Sequence, residues 1–236
     1  MAERPIFVPK PETNELVKEV FLRLIWSPGF AVVQKEKNIE ALHQAANAAG
    51  YRRILEVSTK SDNKRGRHLS AFYLKARSIR GRDIPLECAF QGSKVFEGGG
   101  PFVDMYEMDV RKAKKDPRLK ESGQLIAFEF EGTRWPLEPK TAFYDWLYTS
   151  CIYPHRGWAA KLFDYDGFSD IEFNPFRSVN CQARSIALFL SLMKRRELDE
   201  ALESPESFIR VLQKSDYHPR LRSDDFSPRK LFAAKD

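Results

Sequence analysis

From Asn14 the apolar positions Leu16, Val17, Val20, Phe21 and Leu24 recur at i, i+3, i+4 spacing, which predicts an amphipathic helix stopped by Ser27-Pro28-Gly29. Residues 1–14 read as a flexible N-terminal arm. Lys37 to Ala49 predicts a second helix closed by Gly50, and Ile54, Leu55 and Val57 then suggest a short buried strand. SDNKRGRH is a polar loop, after which LSAFYLKAR resumes order. Asp83 and Pro85 together form a helix-start signal for a helix that carries ECAFQGSKVF and ends at Gly98-Gly99-Gly100. Tyr106 to Lys115 reads as helical, GQLIAFEFEGTRW as a strand, and Lys140 to Thr149 as an aromatic-rich helix. Ser178 to Arg195 carries the clearest stripe, with Ala183, Ile186, Ala187, Leu190 and Met193 on one face. A short helix capped by Ser204-Pro205-Glu206 precedes a basic, mobile tail at 214–236. These elements describe an α+β fold, a mainly helical single domain with a small β-sheet, spanning 15–213.

Composition changes this picture little. A hydrophobic share of 42% beside 31% charged residues is that of a globular protein. No apolar run approaches the roughly 20 residues that span a bilayer, and the acids and prolines of MAERPIFVPKPETNE are unlike a signal peptide. A cytoplasmic location with no membrane partner is the expectation. Cys88, Cys151 and Cys181 form no CxxC pair, and His43, His68, His155 and His218 are scattered. Neither set offers metal-ligand spacing, so no metal and no cofactor is expected. A net charge of +6 suits a polyanionic partner.

The chemistry concentrates on the helix expected after Pro85. Glu87, Gln91 and Lys94 stand at i, i+4 and i+7, one polar stripe with Phe90 beside it. Such a stripe is also what a solvated helix face looks like, since pairs at this spacing stabilise helices by about 0.2–0.5 kcal/mol. Two features favour a site: the flanks are aromatic and small, and the run of glycines beyond lets a ligand or a backbone approach closely.

With LSAF (Leu69 to Phe72) upstream, Arg134-Trp135 downstream and FSDIEFNP leading to Asn180, the sequence resembles the NADAR-domain family. ExxFQxxK, here Glu87, Phe90, Gln91 and Lys94, resembles that family's core signature. LSAF resembles its LSNF motif, with Ala71 in place of Asn. Trp135 resembles its tryptophan and Asp170 the aspartate of its late DxxWG motif, where this chain has Phe173-Asn174. The resemblance runs over about 69–192. KTAFYDWLY, FSDIEFNPxxSxNCQARS and FAVVQKEKNIEALHQAA further resemble the branch of antitoxins found beside DarT-type toxins.

That resemblance implies a hydrolase, an N-glycosidase that removes ADP-ribose from guanine in DNA, most naturally single-stranded, and a DarT-type toxin as partner. Lys94 is the expected nucleophile, through a Schiff base with the opened ribose, and Glu87 the proton shuttle or charge stabiliser. Asp170 either holds the ribose hydroxyls and shares the acid–base work or is only a turn acid. Trp135 either stacks on a base or plugs the core. Ser70, Phe72, Phe90, Gln91 and Phe173 are expected to contact ligand; packing is the alternative for Phe90, and solvent for Gln91. Asn180 with Arg184, one turn on along the polar side of the last helix, could reach a pyrophosphate, as could the run RKAKK (Arg111 to Lys115), for which a solvated face is the alternative. Arg220, Arg222, Arg229 and Lys230 either contact DNA nonspecifically or tether a partner. Two rival functions stay open: an N-glycosidase acting on a ribose-phosphate metabolite, and a non-catalytic module that binds ADP-ribose or the toxin.

Overall fold

The computed structural model describes residues 1–29 and 31–219. Ala2–Lys10, expected as part of a flexible arm, form a strand. β1 (Ala2–Lys10) pairs antiparallel along its whole length with β2 (Leu16–Leu24), from Ala2↔Leu24 to Lys10↔Leu16. Ile6 and Val8 face one apolar cluster and Phe7 the other, so the strand is buried on both sides. The expected helix at Leu16–Leu24 is thereby corrected. Its apolar residues also fit period 2, with Val20, Leu22 and Leu24 on one face, and a distant pairing partner decides between the two periods. α1 (Val32–Ala48) covers that face with Ile39, Leu42 and Ala46, and Gly50 follows it with φ +93°.

β3 (Ile54–Glu56) lies at the far edge of a four-stranded sheet in the order β2-β1-β9-β3, where β9 is Gly167–Ser169. The polar loop that follows contains a one-turn helix, α2 (Lys64–His68), capped by the Asn63 side chain, which accepts from Arg65 N–H at 2.9 Å. β4 (Lys75–Arg77) and β5 (Asp83–Pro85) make a two-stranded ladder. Asp83 is therefore not a helix cap: its carboxylate lies 3.7 Å from Arg77 across that ladder.

α3 (Leu86–Gly92) is buried at every position and ends at Gly92, short of the expected end at Gly98-Gly99-Gly100. A Cβ at Gly92 would meet the Phe102 carbonyl oxygen at 2.8 Å and the Tyr106 ring at 2.6 Å, so that segment folds tightly against the helix end. Lys94 thus leaves the helix and opens β6 (Lys94–Phe96), which pairs with β7 (Leu125–Phe130). The glycine run has a backbone reason too. At Gly100, φ is +94° and a Cβ would come within 2.3 Å of the Lys94 carbonyl oxygen.

A 3-10 turn at 103–107 and α4 (Val110–Lys114) replace the single helix expected at Tyr106–Lys115, and α5 (Arg118–Glu121) leads into β7. Glu131 and Gly132, both at positive φ, turn β7 into β8 (Thr133–Trp135), so the one expected strand is a hairpin. α6 (Ala142–Ile152), the short α7 (Arg156–Ala159) and α8 (Gln182–Arg195) close the main core. α8 begins four residues later than its stripe suggested. α9 (Leu198–Leu202) and α10 (Pro205–Gln213) follow, the latter capped by Ser204, whose hydroxyl accepts from Ser207 N–H at 3.1 Å.

Folded structure extends past 213. Tyr217 is buried and its hydroxyl donates to Asp145 at 2.9 Å, so the beginning of the expected mobile tail is docked. Arg220, Arg222, Arg229 and Lys230 lie outside the described residues. Among the described residues the architecture is mixed, with more helix than strand and three small sheets where one was expected. Among the described residues no helix is long and apolar enough to cross a membrane.

Because β1 is an interior strand, Phe7→Ala is expected to cost about 3–5 kcal/mol, read as a lower urea midpoint at unchanged slope. A loss below about 0.5 kcal/mol would instead be the behaviour of a surface arm.

Candidate functional site

A cleft of about 390 Å³ opens where α3, β6, α6 and the turn after β9 converge. One wall is α3, which presents Glu87, Phe90 and Gln91; Lys94 reaches the same wall from β6. Lys94 is 1% exposed. Its Nζ donates to Gln91 Oε1 at 2.6 Å, and Gln91 Nε2 donates to Glu87 Oε1 at 3.0 Å. Lys114 Nζ, from α4, stands 3.4 Å from that same Glu87 oxygen. The amide is oriented by its neighbours, since it must offer its oxygen to an amine and its nitrogen to a carboxylate.

The other side of Lys94 is apolar. Its Nζ lies 5.1 Å from the centre of the Phe90 ring, and Phe90 in turn stacks on Phe128 at 5.5 Å and meets Tyr144 edge-on at 5.0 Å. Phe90 therefore both lines the cleft and packs the core. Burial is the largest influence on the Lys94 amine and pushes its pKa down to about 7. Glu87 opposes that shift and Lys114 reinforces it; desolvation wins.

LSAF runs along the start of α3, held by a hydrogen bond from the Ala71 N–H to Gln182 Oε1 at 2.8 Å and by the Tyr148 hydroxyl on the Leu69 carbonyl at 2.7 Å. Ser70 lines the cleft at 1% exposure, and its hydroxyl has no hydrogen-bond partner among the described residues. A buried donor left open towards a cleft is a ready contact for ligand. Phe72 lines the mouth, with Lys114 Nζ 5.3 Å over its ring.

Opposite stands Asp170, 9% exposed, at the end of β9. Its Oδ1 accepts from Glu172 N–H at 2.9 Å, so it shapes its own turn as well as facing the cleft. Phe173 and Asn180 line the cleft beside it. The rim carries Lys60, Arg111, Lys114, Lys115 and Arg177.

Two expected ligand contacts are not brought to this cleft. Trp135 is fully buried and packs on Trp146 at 4.9 Å and Phe143 at 5.7 Å; it plugs the core beneath β8. Arg184 is 2% exposed and points away, into an ion pair with Glu19 Oε1 at 2.6 Å and a hydrogen bond to the Val179 carbonyl. Its guanidinium also lies over Phe7 and Phe173. The polar side assigned to it is occupied by β2, which the helical reading of Leu16–Leu24 hid.

Tyr144, Gln182, Lys60 and Arg177 belong to the cleft and were not singled out from sequence. Tyr144 sat in an aromatic helix with nothing to mark one ring among several, and the other three depend on chain crossings. Among the described residues no group of three or more His, Cys, Asp or Glu side chains could hold a metal ion.

The model of the NADAR-DarT1 family, described as DarT1-associated NADAR antitoxin, matches residues 2–221, and the chain belongs to that family. No curated protein matches the chain.

The buried amine has a consequence for stability. Lysine in an unfolded chain titrates near 10.4, whereas Lys94 in the folded protein titrates at about 7. Between those values the unfolded state holds the extra proton, so stability rises with pH across that window. Lys94→Met removes this term. Its stability relative to wild type should be highest near about pH 6 and shrink towards about pH 10, measured by chemical denaturation. A difference that does not vary with pH would mean that the folded amine titrates like a solvated one.

Proposed function

We propose that this member of the DarT1-associated NADAR antitoxins hydrolyses the N-glycosidic bond joining ADP-ribose to guanine in DNA, undoing the modification made by a DarT-type toxin. One observation carries the reading. A lysine amine, buried and held through Gln91 to a carboxylate, stands on the wall of a cleft that Asp170 also lines. Near pH 7 a substantial fraction of such an amine is neutral and therefore nucleophilic.

The C1–O4′ bond breaks, its electron pair and a proton from Asp170 going to O4′, and the guanine nitrogen's lone pair makes an iminium at C1. The Lys94 amine adds to that carbon and gives one proton to Glu87. The bond from C1 to the guanine nitrogen breaks. Its electron pair stays on the base, which takes a proton from Glu87, and a lysine imine remains. Water adds to the imine, the bond between C1 and Nζ breaks, and ADP-ribose leaves with the amine restored.

The side chains around Lys94 suit this chemistry. Gln91 points the amine, and Glu87 offsets the positive charge that appears on the iminium and the imine. Ser70 and Asn180 supply hydrogen bonds for ribose hydroxyls. The cations on the rim attract a polyanion and contact phosphates without reading sequence, which favours nucleic acid over a small metabolite.

The test is release of free ADP-ribose from guanine-ADP-ribosylated single-stranded DNA. Lys94→Ala should abolish it, and Glu87→Gln should slow it on the order of 100-fold. Borohydride should trap ADP-ribose on wild-type Lys94 and on nothing in Lys94→Ala. The wild-type rate should rise with pH through about 7 as the amine loses its proton. Undiminished release by Lys94→Ala would sink the nucleophile; binding without release by wild type would make the protein a reader.

A further inference from the structure

Behind Asp170, on the face of β9 turned away from the cleft, lies a second buried carboxylate. Glu56 is 1% exposed and sits directly beside Ser169 in the parallel register of β3 and β9. Its Oε2 accepts from the Ser169 hydroxyl at 2.6 Å, and its Oε1 accepts from the Ile171 N–H at 2.9 Å. Those are the residues immediately before and after Asp170. The Ser169 hydroxyl also stands 2.9 Å from His43 Nε2. The Ser169 carbonyl is held as well, by the Val57 N–H at 2.7 Å.

We propose that Glu56 is a positioning residue for Asp170, holding the Ser169 side chain before it and the Ile171 backbone N–H after it so that the carboxylate faces the cleft. A buried carboxylate is costly unless its oxygens are hydrogen-bonded. A carboxylate can satisfy the hydroxyl on one oxygen and the amide on the other, spanning the residue between. Burial first, and then the negative charge of Asp170, push the Glu56 carboxyl up to about 7, so the two acids lie within each other's field. None of Glu56, His43 and Ser169 lines the cleft itself. The inference rests on the proposed reading only where Asp170 is given a part in the reaction.

The test is a mutant cycle with two readouts. Glu56→Ala should lower kcat on ADP-ribosylated guanosine on the order of 10- to 100-fold with little change in KM. Glu56→Gln, which can still accept from Ile171 and donate to Ser169, should recover most of that loss. In an Asp170→Asn background, Glu56→Ala should cost less than about twofold, because the group it positions is gone. Equal losses in both backgrounds would overturn the proposal. The second readout needs no turnover: amide exchange at Glu172, whose N–H is held by the Asp170 carboxylate and not by Glu56. It should quicken in Glu56→Ala and not in Glu56→Gln. Unchanged exchange in Glu56→Ala would overturn the clamp. If Glu56→Ala fails to fold, Ser169→Ala breaks the same clamp from the other side and is read in the same two ways. A wild-type protein that releases no ADP-ribose would remove the catalytic reading, while the exchange result would still decide whether Glu56 holds Asp170.

Discussion

Placing a primary amine at 1% exposure among phenyl rings costs free energy in its charged form, and the cleft is arranged around that cost. Phe90, Phe128, Phe143 and Tyr144 make a nearly continuous aromatic wall, with Phe128 and Phe143 stacked at 4.8 Å. Against that wall Gln91 supplies one strong hydrogen bond, and its amide passes the polarity on to Glu87. An intervening neutral amide orients the amine and leaves desolvation as the larger influence.

The N-terminal hairpin supports the opposite wall. β9 is only three residues long, and it is held between β1 and β3. Phe7, on β1, meets Phe173 edge-on at 5.9 Å, directly beneath the turn that carries Asp170. Glu19, on β2, pairs with Arg184 and anchors α8 against the same strand. So the segment that looks dispensable in a linear reading fixes the geometry of residues about 160 positions later, a separation that no local pattern encodes.

What could be read from the sequence follows from this. Glu87 and Gln91 are one helical turn apart, and local spacing was enough to place them together. Lys94 reaches the same wall by a different route: the helix ends at the tightly packed Gly92 and the next residues pair as a strand. The helical stripe of three was thus right about proximity and wrong about the backbone. Asp170, Ser70 and Asn180 were brought in by motif resemblance, because their approach to α3 depends on β9 and the LSAF turn and leaves no periodic trace. Leu16–Leu24 failed for a related reason. Its apolar residues satisfy both periods, and only pairing with β1 chooses strand.

Lys94 and Arg184 make the clearest comparison, since both are basic and both are buried in the same core. Around Arg184, burial works to lower the pKa, but Glu19 first, then Tyr217, Cys181 and Asp145, raise it above its ordinary value. The guanidinium also gains a backbone carbonyl and two aromatic faces. It stays charged, and its planar fork suits an ion pair that staples two elements together. At Lys94 the balance falls the other way: burial outweighs the opposing charge of Glu87 and brings the pKa of the amine down to about 7. Burial alone therefore does not mark a functional cation. The distinguishing feature is which influence wins: the Glu19 carboxylate at 2.6 Å keeps the guanidinium charged against its burial, whereas around Lys94 desolvation is the larger influence.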